Sequence, residues 1–245
     1  MAGDILSNLG TRRRRDNPHA CKPARIQYAV AETRAVPRLV QSPGPSEVPQ
    51  RIVRHAVVVI DDFLPEAEWR ALLAEVLAQQ RAFVPSATHD ARADYRQSLV
   101  LNPPPSLVAP VVGRVRSLAP AAVARLRLPT SPIGTIEAQV TASVDGSFFN
   151  VHTDAGTMAQ KRVLTYVYYF QRAPNLFGGG DLRVYDDVVR NGKLARAESF
   201  RVVEPVHNRI VFFWAKTMHE VTPVHVPSRA FEDARFTVNG WINAA

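Results

Sequence analysis

From Ile133 to the C-terminus the chain reads as one short strand after another with no helix between them. That succession restricts the fold more than any other feature of the sequence. The segments are Thr135–Ser143, Arg162–Phe170, Asp181–Tyr185, Phe200–Val203, Arg209–Trp214, His219–Val224 and Arg235–Ile242. Apolar and β-branched residues fill them, and turn formers divide them, among them Asp145-Gly146 and Gly178-Gly179-Gly180. Strands that follow one another without crossover helices pair antiparallel, and they bury a face by forming a sandwich or a barrel.

Upstream the pattern changes. Ala56–Ile60 is a short apolar strand and Asp61–Pro65 a turn; from about Glu66, the residues Trp69, Leu72, Leu73, Val76 and Leu77 fall on one helical stripe. A second helix is expected over Leu107–Leu126, interrupted at Pro110 and Pro120 because proline removes a backbone donor and collides with the preceding turn. Helices first and strands later predict a mainly β fold with flanking helices (α+β). Its jelly-roll core, a double-stranded β-helix over about 133–243, is backed by a helical layer over about 55–130.

Residues 1–50 lack helical or strand periodicity and carry Pro-rich stretches such as Ser42-Pro43-Gly44-Pro45, so a disordered basic tail is expected there, with 51–245 as a single domain. The net charge of +8 is concentrated at this end. Residues 1–54 hold ten Lys/Arg against four acidic residues, a surplus of +6, which leaves +2 for the rest. A body so close to neutral argues against a polyanion-binding domain, so no nucleic-acid partner is expected for the folded part, and the Arg12–Arg15 run reads as solvated charge. No apolar run approaching the roughly 20 residues of a membrane span is evident, and no basic-then-apolar leader, so no membrane association is expected. Cys21 is the only cysteine, which excludes internal disulfides and cysteine zinc sites and fits a reducing cytoplasm. Oligomeric state is not legible.

The chemistry centres on His152-Thr153-Asp154. On a strand or strand end, residues two apart face the same way, so an imidazole and a carboxylate can reach one ion. A second imidazole must come from elsewhere; His219 opens a predicted strand, and His225 rivals it on spacing alone. Two imidazoles and one carboxylate on one side of an ion leave the opposite positions open, the facial arrangement of non-haem Fe(II) oxygenases. His19, His55, His89 and His207 have no comparable carboxylate partner in sequence and read as surface or structural residues.

Four pieces then occur in a telling order: HTD at His152–Asp154, RVLTYVYYF at Arg162–Phe170, FGGGDLRVYD at Phe177–Asp186, and NRIVFFWAKTMHEVTPV at Asn208–Val224 leading into ARFTVNGWI at Ala234–Ile242. In these the sequence resembles the prolyl-hydroxylase-like branch of the 2-oxoglutarate/Fe(II) oxygenases, from about Thr135 to Ile242 and more loosely from the VVVIDDFL opening. The resemblance implies Fe(II), 2-oxoglutarate as co-substrate, and O2. It selects His219 as the third ligand, through HEVTPV. It assigns Arg235 to the C5 carboxylate of 2-oxoglutarate, a role that suits the forked, permanently charged guanidinium. Thr237, two residues on, would add a hydroxyl. Tyr169 matches a tyrosine that contacts the same carboxylate, although it also reads as one of several core aromatics. Beyond the metal centre no further catalytic group is assigned.

Two departures matter. The stretch ten residues before the first ligand, Val140-Thr141-Ala142-Ser143, lacks a tyrosine common among relatives. Pro227–Asp233 looks inserted, which puts Arg229 at a more usual distance from His219 and makes it a competitor for the anchor. The implied activity is hydroxylation of an unactivated C–H bond of an amino acid, peptidyl residue or small natural product, with release of succinate and CO2. The alternatives are a zinc hydrolase using the same ligands, which leaves Arg235 unexplained, and a non-catalytic jelly-roll binding module, which does not require an intact triad. Phe83–Pro105 is expected to form a lid with Arg92, Tyr95 and Arg96 toward the site.

Overall fold

The computed structural model describes residues 33–34, 51–86, 95–155 and 161–245. Eight strands make the core: β1 (Gln139–Ser143), β2 (Phe148–His152), β3 (Arg162–Phe170), β4 (Leu182–Arg190), β5 (Lys193–Val203), β6 (Arg209–Trp214), β7 (His219–Val221) and β8 (Arg235–Ala244). They divide between two antiparallel sheets, changing sheet at every step except from β4 to β5. The larger runs β6-β3-β8-β1, extended by Val58–Ile60 beside β6 and by Leu99–Leu101 and Val84–Pro85 beyond β1. The smaller runs β5-β4-β7-β2, with Arg96–Gln97 added to β2 and Ile52–Val53 to β4. This is the expected double-stranded β-helix.

Strand alternation decides what each face does. Along β3, Leu164, Tyr166, Tyr168 and Phe170 are buried among residues of the two helices, while Thr165, Val167 and Tyr169 turn to the space between the sheets. β8 repeats the pattern, with Phe236, Val238 and Ile242 outward and Arg235, Thr237, Asn239 and Trp241 inward. The strongly aromatic side of β3 is thus accounted for by the helical layer, and its polar residues are left for the interior of the barrel.

The helices are α1 (Glu66–Ala78) and α2 (Pro105–Arg125). α2 runs unbroken through Pro110 and Pro120, contrary to the expected interruption. A proline inside a helix costs about 3 kcal/mol. Against this, five buried aliphatic side chains, Leu107, Val108, Val111, Val115 and Val123, contribute roughly 8–15 kcal/mol. Packing wins. By length and composition α2 is also apolar enough to cross a bilayer, which corrects the expectation that no such run exists. Its buried residues form one stripe against the large sheet, as in the core helix of a globular domain.

Other expectations need adjustment. Thr135–Ser143 splits into Ile133–Ile136 and β1, and His219–Val224 into β7 and Val224–His225, while β4 and β5 extend well beyond the expected Asp181–Tyr185 and Phe200–Val203. Within the tail expected to be disordered, Thr33–Arg34 pairs with Phe200–Arg201 at the outer edge of the small sheet. The rest of residues 1–50 lies outside the described residues.

Candidate metal centre

β2 ends at His152 and β7 begins at His219, and the two residues are directly paired across the small sheet. Asp154 follows β2, its backbone N–H bonded to the Ala215 carbonyl at 3.0 Å. The short loop therefore delivers the carboxylate to the same point as both imidazoles. Asp154 Oδ2 lies 3.3 Å from His219 Nε2, Asp154 Oδ1 lies 3.9 Å from His152 Nε2, and the three ligand atoms all fall within 4.8 Å of one another.

The protonation pattern suits a cation. Each ring uses Nδ1 on a backbone carbonyl two residues back, His152 on Asn150 at 2.7 Å and His219 on Thr217 at 2.9 Å. With Nδ1–H donated there, the Nε2 lone pair is left for the cavity, the usual way a fold orients a ligating histidine. Burial, followed by the neighbouring His219, pushes His152 down to about 3, so it is neutral at ordinary pH. Burial alone would raise the Asp154 carboxyl. Attraction to His219 and its hydrogen bond, then His152 and the Thr165 hydroxyl, outweigh burial and hold it below the usual range. Thr165 Oγ1 donates to Asp154 Oδ2 at 2.6 Å, fixing the carboxylate from the opposite sheet. Phe149 stacks on the His152 ring with centroids 3.5 Å apart.

These groups open into a cavity of about 650 Å³, part of it continuous with solvent. Its inner wall carries Arg235, Tyr169 and Thr237. Arg235 is 3% exposed, and among the described residues neither its Nε nor the Tyr169 hydroxyl has a hydrogen-bond partner of normal geometry. The guanidinium carbon sits 4.9 Å from the centre of the Tyr169 ring, near enough for attraction without a bond of acceptable geometry. Burial lowers the Arg235 guanidinium from its ordinary value and raises the Tyr169 phenol. A buried cation beside an orphaned hydroxyl is costly unless an anion joins them. A carboxylate satisfies both.

The competitors separate cleanly. Arg229 lies outside the cavity, its side chain 82% exposed and its Nε 3.4 Å from Asp145. His225 is likewise exposed and bonded to Asp145 at 3.0 Å. His55 is buried against Asp187, and the His207 ring packs on Trp69, both structural placements; His19 and His89 lie outside the described residues. Of the expected lid, Arg96 lines the cavity and Tyr95 packs on Phe149, while Leu99–Leu101 is an ordinary strand of the large sheet; Arg92 lies outside the described residues.

Strand parity puts Arg235, Thr237 and Asn239 on one face, and all three line the cavity; sequence reasoning missed Thr165, Thr141, Phe149 and Trp241. The signal for two of them was present in the same parity, since Thr165 and Trp241 share the inward faces of β3 and β8.

The donor set, two imidazoles and one carboxylate with open space before them, fits Fe(II), and the unpaired Arg235–Tyr169 end fits a diacid co-substrate. Comparison with known proteins agrees. Residues 138–243 match the 2OG-Fe(II) oxygenase superfamily. An uncharacterized PKHD-type hydroxylase from Synechocystis sp. (strain ATCC 27184 / PCC 6803 / Kazusa) is 37% identical over 186 residues, covering 75% of this chain; the chain spans 61% of that relative's length. Among solved structures, a Pseudomonas putida prolyl-4-hydroxylase aligns with a TM-score of 0.57 at 21% identity, over 78% of this chain and 94% of that one. A Trichoplax adhaerens prolyl hydroxylase, solved with a hypoxia inducible factor oxygen degradation domain peptide fragment, aligns with a TM-score of 0.55 at 19% identity, over 77% and 83%. Residues 138–243 therefore carry a 2OG-Fe(II) oxygenase domain, and the fold is similar to that of solved prolyl hydroxylases.

Proposed function

We propose that the chain is an Fe(II)- and 2-oxoglutarate-dependent dioxygenase that hydroxylates an unactivated C–H bond, releasing succinate and CO2. One observation carries the reading: the His152–Asp154–His219 group and the unpartnered Arg235–Tyr169 pair share one cavity. When bound, Fe(II) and 2-oxoglutarate together supply the activation of O2, chemistry that belongs to the cofactor and not to side chains.

The chain's own residues do the rest. His152, Asp154 and His219 hold the metal through atoms already aimed by the Asn150 and Thr217 carbonyls and the Thr165 hydroxyl. Arg235 and Tyr169 take the far carboxylate of the co-substrate, and the buried Thr237 hydroxyl stands beside them. The cavity walls beside the triad, among them Phe149 and Trp241, would orient a substrate entering from the solvent side. Amino acids, peptidyl residues and small natural products are the substrate classes; the peptide held by the Trichoplax fold relative makes peptides the first class to test. The single cysteine suits work in a reducing cytoplasm.

The test is succinate release by the full chain with Fe(II), 2-oxoglutarate and O2 across a panel of peptides, amino acids and cell extract. Substrate-stimulated succinate, with a product 16 mass units heavier (one oxygen atom), supports the reading. Absence of 2-oxoglutarate binding to the metal-loaded protein would overturn it whatever the panel contained.

A further inference from the structure

On β8, Asn239 lies between the anchor residues Arg235 and Thr237 and the cavity residue Trp241, and its side chain lines the cavity. Its carboxamide is already oriented. Oδ1 accepts the Thr141 hydroxyl at 2.7 Å and faces the Thr237 hydroxyl at 3.4 Å. The amide is flat, so turning its oxygen to those hydroxyls turns Nδ2, with two N–H donors, the other way. Nδ2 has no hydrogen-bond partner among the described residues. The neighbour across β3 is Val167, which offers no side-chain acceptor, and the neighbour across β1 is Gln139, whose Oε1 meets Arg96 at 3.4 Å.

Register places this donor. Inward residues form successive rungs: Tyr169, Thr237 and Thr141 on one, Val167 and Asn239 on the next, Thr165 and Trp241 on the third. The first rung adjoins Arg235, and the third holds Asp154 through Thr165. Oδ1 is turned back to the first rung, so Nδ2 is presented toward the third.

Resting on the function proposed above, we infer that Asn239 is a co-substrate-binding residue, donating from Nδ2 to an oxygen at the 2-oxo-acid end of 2-oxoglutarate, with Thr141 as its positioning residue. The amide suits this place for a reason of charge. A carboxylate there would repel a dianion, and an aliphatic residue would leave the cavity without an amide donor on the rung between Tyr169–Thr237 and Thr165–Trp241. The Thr141–Asn239 pair also occupies the region of the cavity wall where the chain lacks an aromatic residue at Val140–Ser143.

The experiment is calorimetric titration of 2-oxoglutarate into the full chain loaded with Mn(II), without O2. It compares wild type with Asn239→Ala, Asn239→Asp, Thr141→Val and Thr141→Ser. A hydrogen bond to a charged acceptor predicts about a tenfold or greater weakening in Asn239→Ala. Asn239→Asp should weaken more, Thr141→Val less, and Thr141→Ser should bind like wild type, with Mn(II) affinity the same throughout. Folded Asn239→Ala and Asn239→Asp proteins that bind 2-oxoglutarate within twofold of wild type would overturn the inference while leaving the proposed function standing. Failure of wild type itself to bind would remove both.

Discussion

The three glycines between Phe177 and Asp181 provide a graded test of how the co-substrate end of the cavity is held. Gly180 has φ +72, and a Cβ placed on it would lie 2.6 Å from Arg235 Cδ, 3.0 Å from Arg235 Nε and 3.0 Å from Val224 Cγ2. Alanine there incurs about 1–2 kcal/mol for the left-handed backbone, and the collision is relieved most readily by the long arginine side chain. Losing a buried charge pair outright costs about 2–5 kcal/mol, so a partial displacement of the guanidinium predicts a tenfold or greater rise in the 2-oxoglutarate dissociation constant. Gly179 also has positive φ, but its added Cβ would meet the Pro223 carbonyl and not Arg235, so Gly179→Ala should lower stability with little change in affinity. Gly178 has open space around it and no positive φ, and its alanine variant should be silent. Thermal midpoints and calorimetric 2-oxoglutarate affinities for the three variants form the assay. Normal affinity in a destabilised Gly180→Ala would refute the argument, because Arg235 would then not be held in place by the glycine surface.

Other expectations follow from the same geometry. His152→Ala, Asp154→Ala and His219→Ala should each abolish Fe(II)-dependent turnover while the exposed His225→Ala should not, which activity with measured metal content checks. Arg235→Ala should weaken 2-oxoglutarate by about 30-fold or more and Arg235→Lys should recover only part, whereas Arg229→Ala should cost under about 1 kcal/mol; titration of all three decides between the arginines. His152 is held down to about 3 in the fold, against about 6.5 when unfolded. The unfolded chain therefore takes up a proton that the fold refuses, and stability present above pH 6.5 is lost as pH falls. Chemical denaturation of metal-free protein should show a loss of about 1 kcal/mol between pH 6.5 and 5.5 from this residue, absent in His152→Gln. A chain beginning near Val48 should fold and keep its turnover, since it retains every described element of both sheets except the two-residue pair at Thr33–Arg34; a soluble but inactive truncation would contradict this.

The succession of strands and the two helices were legible because hydrophobic periodicity is a local property, and β3 and β6 match their expected bounds. Phe148–His152 was missed because FFNVH shows little alternation, and its strand character comes from pairing with β7 on one side and Arg96–Gln97 on the other. The triad was legible only through motif order. His219 and His225 cannot be separated by spacing, yet one opens β7 opposite His152 while the other pairs with Gly178 outside the cavity. Arg235 over Arg229 was a question of burial, which sequence separation does not encode. Strand parity turns Thr165 inward, but its bond to Asp154 needed the tertiary fact that β3 crosses Asp154 from the other sheet.

That crossing has a mechanical consequence. The histidines stand on the small sheet, Arg235 and Tyr169 on the large one, and Thr165–Asp154 is a protein-made tie between them at the metal. A molecule reaching from Arg235 to the triad is a second strut across the sandwich, so part of its binding energy goes into damping the motion of one sheet against the other. Hydrogen exchange should therefore slow in Phe148–His152 and Arg235–Ala244 together when 2-oxoglutarate binds, although these strands belong to different sheets.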